Sequence, residues 1–178
     1  RSKIFKALDS VANIFKTSFN NVNAYNQNID GSKENGNSDI YVTLGVENSF
    51  PLIKIDKNKE QTITPKIFTK YTTGTMADAS DTNKKLSYDD VYSMNRMNFL
   101  NPETGGNLGY GIEYNNSTKN DLNEVYLKNS FSIGQVLRLE NQEEMPSSSS
   151  LSKSQSDFVG GATLSYIAES SNEETSKL

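Results

Sequence analysis

The side chains that could carry chemistry are few in this chain. Carboxylates stand side by side at Asp89–Asp90 and at Glu143–Glu144. General acid–base work needs such pairs in a shaped, partly dry cleft with separated pKa values. Both pairs sit in polar stretches, which reads as solvated surface. Asp78, Asp81 and Asn83 offer oxygen ligands, but the EF-hand spacing and its glycine are missing. Ser147 to Ser150 form a polar run with no G-x-S-x-G around it, so there is no nucleophile elbow. Gly105, Gly106, Gly109 and Gly111 do not open a helix as a phosphate loop must. The last two read as the small face of a strand. Asn115 and Asn116 lie in N-x-S/T sequons, and the terminal Ser-Lys-Leu matches a peroxisomal address that reads as accidental.

Composition narrows the chemistry further. The chain has no Cys, no His and no Trp. That removes disulfides, thiolate nucleophiles, Cys/His zinc sites and the commonest general base. No catalytic, metal-ligating or cofactor-binding residue is assigned, and the chain reads as a protein without enzymatic activity. Net charge is −4, and only Arg1, Arg96 and Arg138 are arginines, so no basic face for nucleic acid is expected. Asn occurs 22 times, which reads as codon bias. Starting at Arg1 without an apolar leader, the chain reads as a mature or excised piece.

The elements that must position these residues announce themselves by alternation. In 105–114, Leu108, Tyr110, Ile112 and Tyr114 alternate with small or charged residues. In 124–140, Val125, Leu127, Phe131, Ile133, Leu137 and Leu139 share one parity, with Lys128, Ser130, Ser132, Gly134 and Arg138 between them. A two-residue period sends alternate side chains to opposite faces of a strand. One face wants hydrocarbon and the other wants water. An antiparallel sheet with one wet face fits this, and so does a membrane barrel with a wet lumen. Apolar content of 34 % and a mean hydropathy of −0.67 are low for a compact core. A large barrel tolerates that. No run approaches the roughly 18 apolar residues of a membrane helix, whereas barrel strands need only about 9–11 alternating residues.

Along the chain, 2–15 fits either an amphipathic helix or a strand, and 15–26 reads as a strand. Ile40, Val42, Leu44 and Val46 mark the next strand. A connection around Pro51 is expected over 48–60. Residues 60–71 alternate again, with Pro65 inside them. Pro removes a ladder donor, which predicts an edge strand or a bulge. The stretch 72–104 is long for a loop and holds Tyr88, Tyr92, Met94, Met97 and Phe99, so it is expected to pack against something. Strands at 105–114, 122–140 and 157–168 follow, and 169–178 reads as a frayed end. Connections 27–38, 72–104 and 140–157 are long, and 48–60 and 115–121 are shorter. Outer-membrane barrels alternate long extracellular loops with short periplasmic turns in this way.

Three stretches also resemble the C-terminal barrel of the LPS-assembly outer-membrane protein family, LptD (Imp/OstA). QTITPKIFTKY at 61–71 is similar to a family strand with a Pro followed by a basic residue, here Pro65 and Lys66. YDDVYSMNRMNFLNPETGGNLGYGIEY at 88–114 is similar to its aromatic and acidic luminal loop, with Asn95–Arg96 before the re-entering strand. SFSIGQVLRL at 130–139 resembles the strand with Ser132, Gly134 and Gln135, and SDFVGGATLSY at 156–166 follows in order. The usual Gly and Asp-Arg of the loop are not cleanly present.

The resemblance implies an all-β fold, with about six antiparallel up-and-down strands forming part of a large transmembrane barrel. It implies insertion of lipopolysaccharide into the outer leaflet of the outer membrane, with the lipoprotein LptE and the periplasmic bridge protein LptA as partners and no cofactor. On that reading Ile40, Val42, Leu44, Leu108, Tyr110, Ile112, Phe131, Ile133, Leu137, Leu164 and Tyr166 face lipid. Lys66, Lys70, Glu113, Lys128 and Arg138 face the lumen. Tyr88, Tyr92, Arg96 and Phe99 plug the lumen or meet the lipoprotein. The alternative is a soluble or surface-exposed β-sandwich binding module.

Overall fold

The computed structural model describes residues 6–7, 11–26, 35–79, 86–97, 100–120, 125–140, 142–146 and 156–166. They form one antiparallel sheet of eight strands. These are β1 (Lys6–Ala7), β2 (Ala12–Asn26), β3 (Asn35–Ser49), β4 (Leu52–Asp56), β5 (Lys59–Thr72), β6 (Gly105–Lys119), β7 (Val125–Arg138) and β8 (Ser156–Tyr166). Of 2–15, residues 6–7 and 12–15 are strand, and 2–5 and 8–10 lie outside the described residues. The fold is all-β, and among the described residues the sheet is open: β8 pairs only with β7.

The eight strands make six ribbons, each beside its neighbour in sequence. β1 lies along β4 while β2 lies along β3, and β3 and β4 together flank β5. β5–β6, β6–β7 and β7–β8 complete a meander. Residues 50–51 are only a break between β3 and β4. Ser49 still faces Lys66 and Leu52 still faces Ile63, so the register is unchanged across it. Phe50 N–H donates to the Pro65 carbonyl at 2.9 Å. The return bond is missing because Pro65 has no N–H to give.

Two expectations change here. Pro65 lies in a central strand, not at an edge, and no residue is inserted beside it. The ladder tolerates it because the partner ribbon breaks at residues 50–51, with Phe50 directly opposite. The expected 48–60 connection shrinks to a two-residue hairpin, Lys57–Asn58, with Asp56 facing Lys59. Lys57 takes φ 34°, the left-handed conformation such tight hairpins require.

The described alternation of connections stands out all the same. The β4–β5 and β6–β7 links are short, at 57–58 and 120–124, and leave the sheet at one end. The β2–β3, β5–β6 and β7–β8 links are longer and leave at the other. Two of the long links pack together there. Met76, Ala79, Leu86 and Met97 from 73–104 enclose Met145 from the β7–β8 link. Ala79 N–H donates to the Glu144 carbonyl at 2.9 Å.

Candidate functional site: a sheet with one bare apolar face and one strapped polar face

Cross-strand partners lie on the same face of a sheet. The register therefore sorts every strand residue. On one face Val42, Leu44 and Val46 of β3 stand beside Phe19, Thr17 and Phe15 of β2. Ile67, Pro65 and Ile63 of β5 stand beside Tyr110, Ile112 and Tyr114 of β6, which stand beside Gln135, Ile133 and Phe131 of β7. No described residue covers this face. Phe15 is 80 % exposed, Leu44 57 % and Ile112 45 %. An apolar hollow of about 470 Å³ lies in it, floored by Gly111 and Gly134 and walled by Pro65, Ile67, Ile112 and Ile133. The phenol of Tyr110 donates to Gln135 Oε1 along the face, so these two polar groups serve each other.

Nine of the eleven residues assigned to lipid by the resemblance fall on this face by register. Ile40, Val42, Leu44, Leu108, Tyr110, Ile112, Phe131, Ile133 and Leu137 have described side chains. The other two, Leu164 and Tyr166, pair along the backbone with Asn129 and Leu127. Lys66, Lys70, Glu113, Lys128 and Arg138 all fall on the opposite face. Lys70 and Arg138 are buried there, Lys66 and Glu113 are half-buried and bonded at 2.8 Å, and Lys128 is exposed.

What buries the polar face is the chain's own β5–β6 connection. Residues 86–97 lie across it as a strap with one short 3₁₀ turn, Asp89–Tyr92. Asp90 is taken up by that turn: its carboxylate accepts from Ser87 N–H and Oγ–H, each at 2.8 Å. Asp89 is exposed, as the reading of solvated surface expects, while Asp90 is half-buried and held in the turn. Asp81, Asn83, Phe99, Ser147–Ser150 and the 169–178 end lie outside the described residues. Among the described residues no group of three carboxylates could hold a metal.

The strap sits where the polar face is low. Val91, Tyr92, Phe68 and Val136 form a buried cluster, flanked by Tyr88 and Met94. Gly45, Gly109, Gly111 and Gly134 lie beneath it. A Cβ on Gly109 would collide with the Val91 carbonyl oxygen, and one on Gly45 would lie 2.9 Å from Met94 Sδ. The rings of Tyr88 and Tyr92 meet edge to face at 5.4 Å, and their hydroxyls bond at 3.1 Å. Burial, then the Tyr88 hydrogen bond, pushes the Tyr92 phenol far above the usual range, so it stays protonated. Lys66 reaches over the Tyr92 ring at 5.5 Å, and Lys16 over Phe68 at 5.0 Å. Gly109→Ala is therefore expected to destabilise the strap by about 1–3 kcal/mol through overpacking, while the sheet persists. Limited proteolysis would report it as faster cleavage within 86–97 with unchanged β circular dichroism.

Behind this apolar seat lies a fully buried ion cluster around Glu103, which is 0 % exposed. Its Oε2 meets Arg96 Nη2 at 2.5 Å and Lys70 Nζ at 3.3 Å, and its Oε1 meets Arg138 Nε at 2.8 Å. Arg96 Nη2 also donates to Asn107 Oδ1 at 2.8 Å. Burial alone would raise the Glu103 pKa, but Arg96, Lys70 and Arg138 hold it down at about 2. Tyr88 and Tyr92 are legible in the sequence as loop residues that pack, and Arg96 only through the resemblance. Glu103 is not, since one carboxylate in N-P-E-T carries no periodic signal. Gly45 as part of the seat, and the Met76–Met145 core, were missed for the same reason.

The arrangement is a wall: hydrocarbon on one side, and on the other a polar face partly covered by its own strap. Comparison with known protein families, curated proteins and solved structures found no match.

Proposed function

We propose that this chain is a segment of a large outer-membrane β-barrel of the lipopolysaccharide-assembly type. Its work is to help carry lipopolysaccharide to the outer leaflet, a transport step that makes and breaks no bonds. One observation carries the reading. The apolar face runs bare across the strands, while the charged face is covered over Phe68, Lys70, Val136 and Arg138 by the chain's own connection. A soluble protein rarely leaves so large an apolar surface uncovered, whereas a barrel wall presents such a surface to lipid. β6 has 15 residues and β7 has 14, more than the roughly 9–11 a tilted strand needs to span a bilayer. Links that are short at one end and long at the other agree with periplasmic turns and extracellular loops.

On this reading Ile112, at the centre of β6, lies near the bilayer midplane. Lys66, Lys70, Glu113, Lys128 and Arg138 line the lumen, where water and the strap serve their charges. Tyr88, Tyr92 and Arg96 plug the lumen side of the wall, and the strap they anchor is the element offered to a lipoprotein such as LptE. The order of motifs at 61–71, 88–114 and 130–139 supports the lipopolysaccharide-assembly family among barrels, with LptA as the periplasmic donor.

The test is refolding with and without neutral detergent micelles, followed by circular dichroism and sedimentation. Aggregation in buffer and β signal recovered in micelles is the expected result. A monodisperse β monomer that unfolds cooperatively in plain buffer overturns the proposal and leaves a soluble β-sandwich.

A further inference from the structure

One cross-strand row of the polar face carries three cations. Lys16 of β2 faces Gly45 of β3, Gly45 faces Lys70 of β5, Lys70 faces Asn107 of β6, and Asn107 faces Arg138 of β7. Cations thus recur on alternate strands, about 10 Å apart at a strand spacing of about 4.8 Å. The row itself holds no carboxylate. Each cation is met by an oxygen of the β5–β6 connection. Lys16 Nζ donates to the Tyr92 carbonyl at 3.1 Å, and Lys70 Nζ to the Met94 carbonyl at 3.1 Å. Lys70 and Arg138 share the Glu103 carboxylate. Lys16 has a second partner in Glu47 on its own face. The oxygens of the connection, one of them charged, are laid along the row as a bound anion's oxygens would be.

We propose that this row is an anion site for phosphate-bearing ligands, and that Glu103 occupies it as an internal counter-ion. A phosphate monoester and the strap then compete for the same cations. Phosphate fits better than a single carboxylate, because its several acceptor oxygens can meet an ammonium and a guanidinium together. The strap suits displacement. It is held to the row by side-chain bonds and to the glycine seat by packing, and the backbone bonds Asp90 N–Ser87 O, Val91 N–Tyr88 O and Ser93 N–Asp90 O only close its own turn. The site stands on the polar face alone and does not depend on the other face lying in a membrane.

The test uses the full chain with Val91→Cys as the single thiol, in buffer or neutral micelles, whichever keeps it folded. Val91 is 1 % exposed, so thiol labelling reads lifting of the strap. Inorganic phosphate is expected to speed labelling at least fivefold over potassium chloride of equal ionic strength. Lys16→Gln and Arg138→Gln should blunt that response, and Lys128→Gln should not. In Glu103→Gln, calorimetry should show phosphate binding at least tenfold tighter. If that variant does not fold, the labelling of the parent chain decides. Micelles doped with phosphatidic acid, against phosphatidylcholine, separate a lipid source from free phosphate. A response to both inorganic phosphate and phosphatidic acid assigns the site to the phosphate group itself. A response to phosphatidic acid alone assigns it to a lipid headgroup. Labelling that follows ionic strength only, in both arms, overturns the proposal.

Discussion

Glu103→Gln should cost about 3–5 kcal/mol, the range seen when one partner of a buried ion pair is removed and the other charges stay behind. Three cations would remain: Arg96 and Arg138 on either side, and Lys70 beneath. The amide matches the carboxylate in shape, so the loss is electrostatic and not a cavity. The pH dependence gives an independent reading of the same residue. Its folded pKa is about 2 against an ordinary 4.5. A depressed carboxylate contributes stability that is fully present above the unfolded value and is lost as pH falls through the folded one. The window is therefore pH 4.5 down to about 2, with about 3 kcal/mol at stake. Denaturant midpoints taken at pH 7 and at steps down to pH 2 should show the wild-type chain losing this increment. The Glu103→Gln chain should already lack it and show a flatter acid limb. A variant within 1 kcal/mol of wild type, with an unchanged acid limb, would mean that the cluster does not hold the strap.

Ile112→Arg separates the barrel reading from a soluble one. Ile112 is the middle residue of β6, stands between Pro65 and Ile133, and points to the bare face. At a bilayer midplane an arginine costs about 2–4 kcal/mol, falling to about 0–1 near the interfaces. Tyr71 lies on the same face one residue from the end of β5 and is 57 % exposed. Tyr71→Arg should therefore cost much less than Ile112→Arg when both are folded into lipid vesicles and unfolded by denaturant. A face bathed in water would give changes within about 0.5 kcal/mol at both positions. Equal costs at centre and end would remove the depth dependence that a membrane must produce, and with it the barrel assignment.

The two-residue period determined much of this protein before any fold was known. Alternation at 105–114 and 124–140 set the strands, their two faces and the side to which Ile112 and Arg138 belong, because a pleated backbone leaves a side chain no other choice. The aromatic content of 72–104 told that this connection packs. Strand order and register were beyond local pattern. Pro65 reads as an edge or bulge residue on its own, since only the neighbouring ribbon's break at 50–51 makes a central position tolerable. Glu103 and Gly45 carry no period either. Their roles exist only after Lys70, Asn107 and Arg138 have been brought side by side from three strands. Alternation is a property of one strand and is written in its residues. A buried ion cluster is a property of several, and its energy depends on distances that only the folded sheet sets.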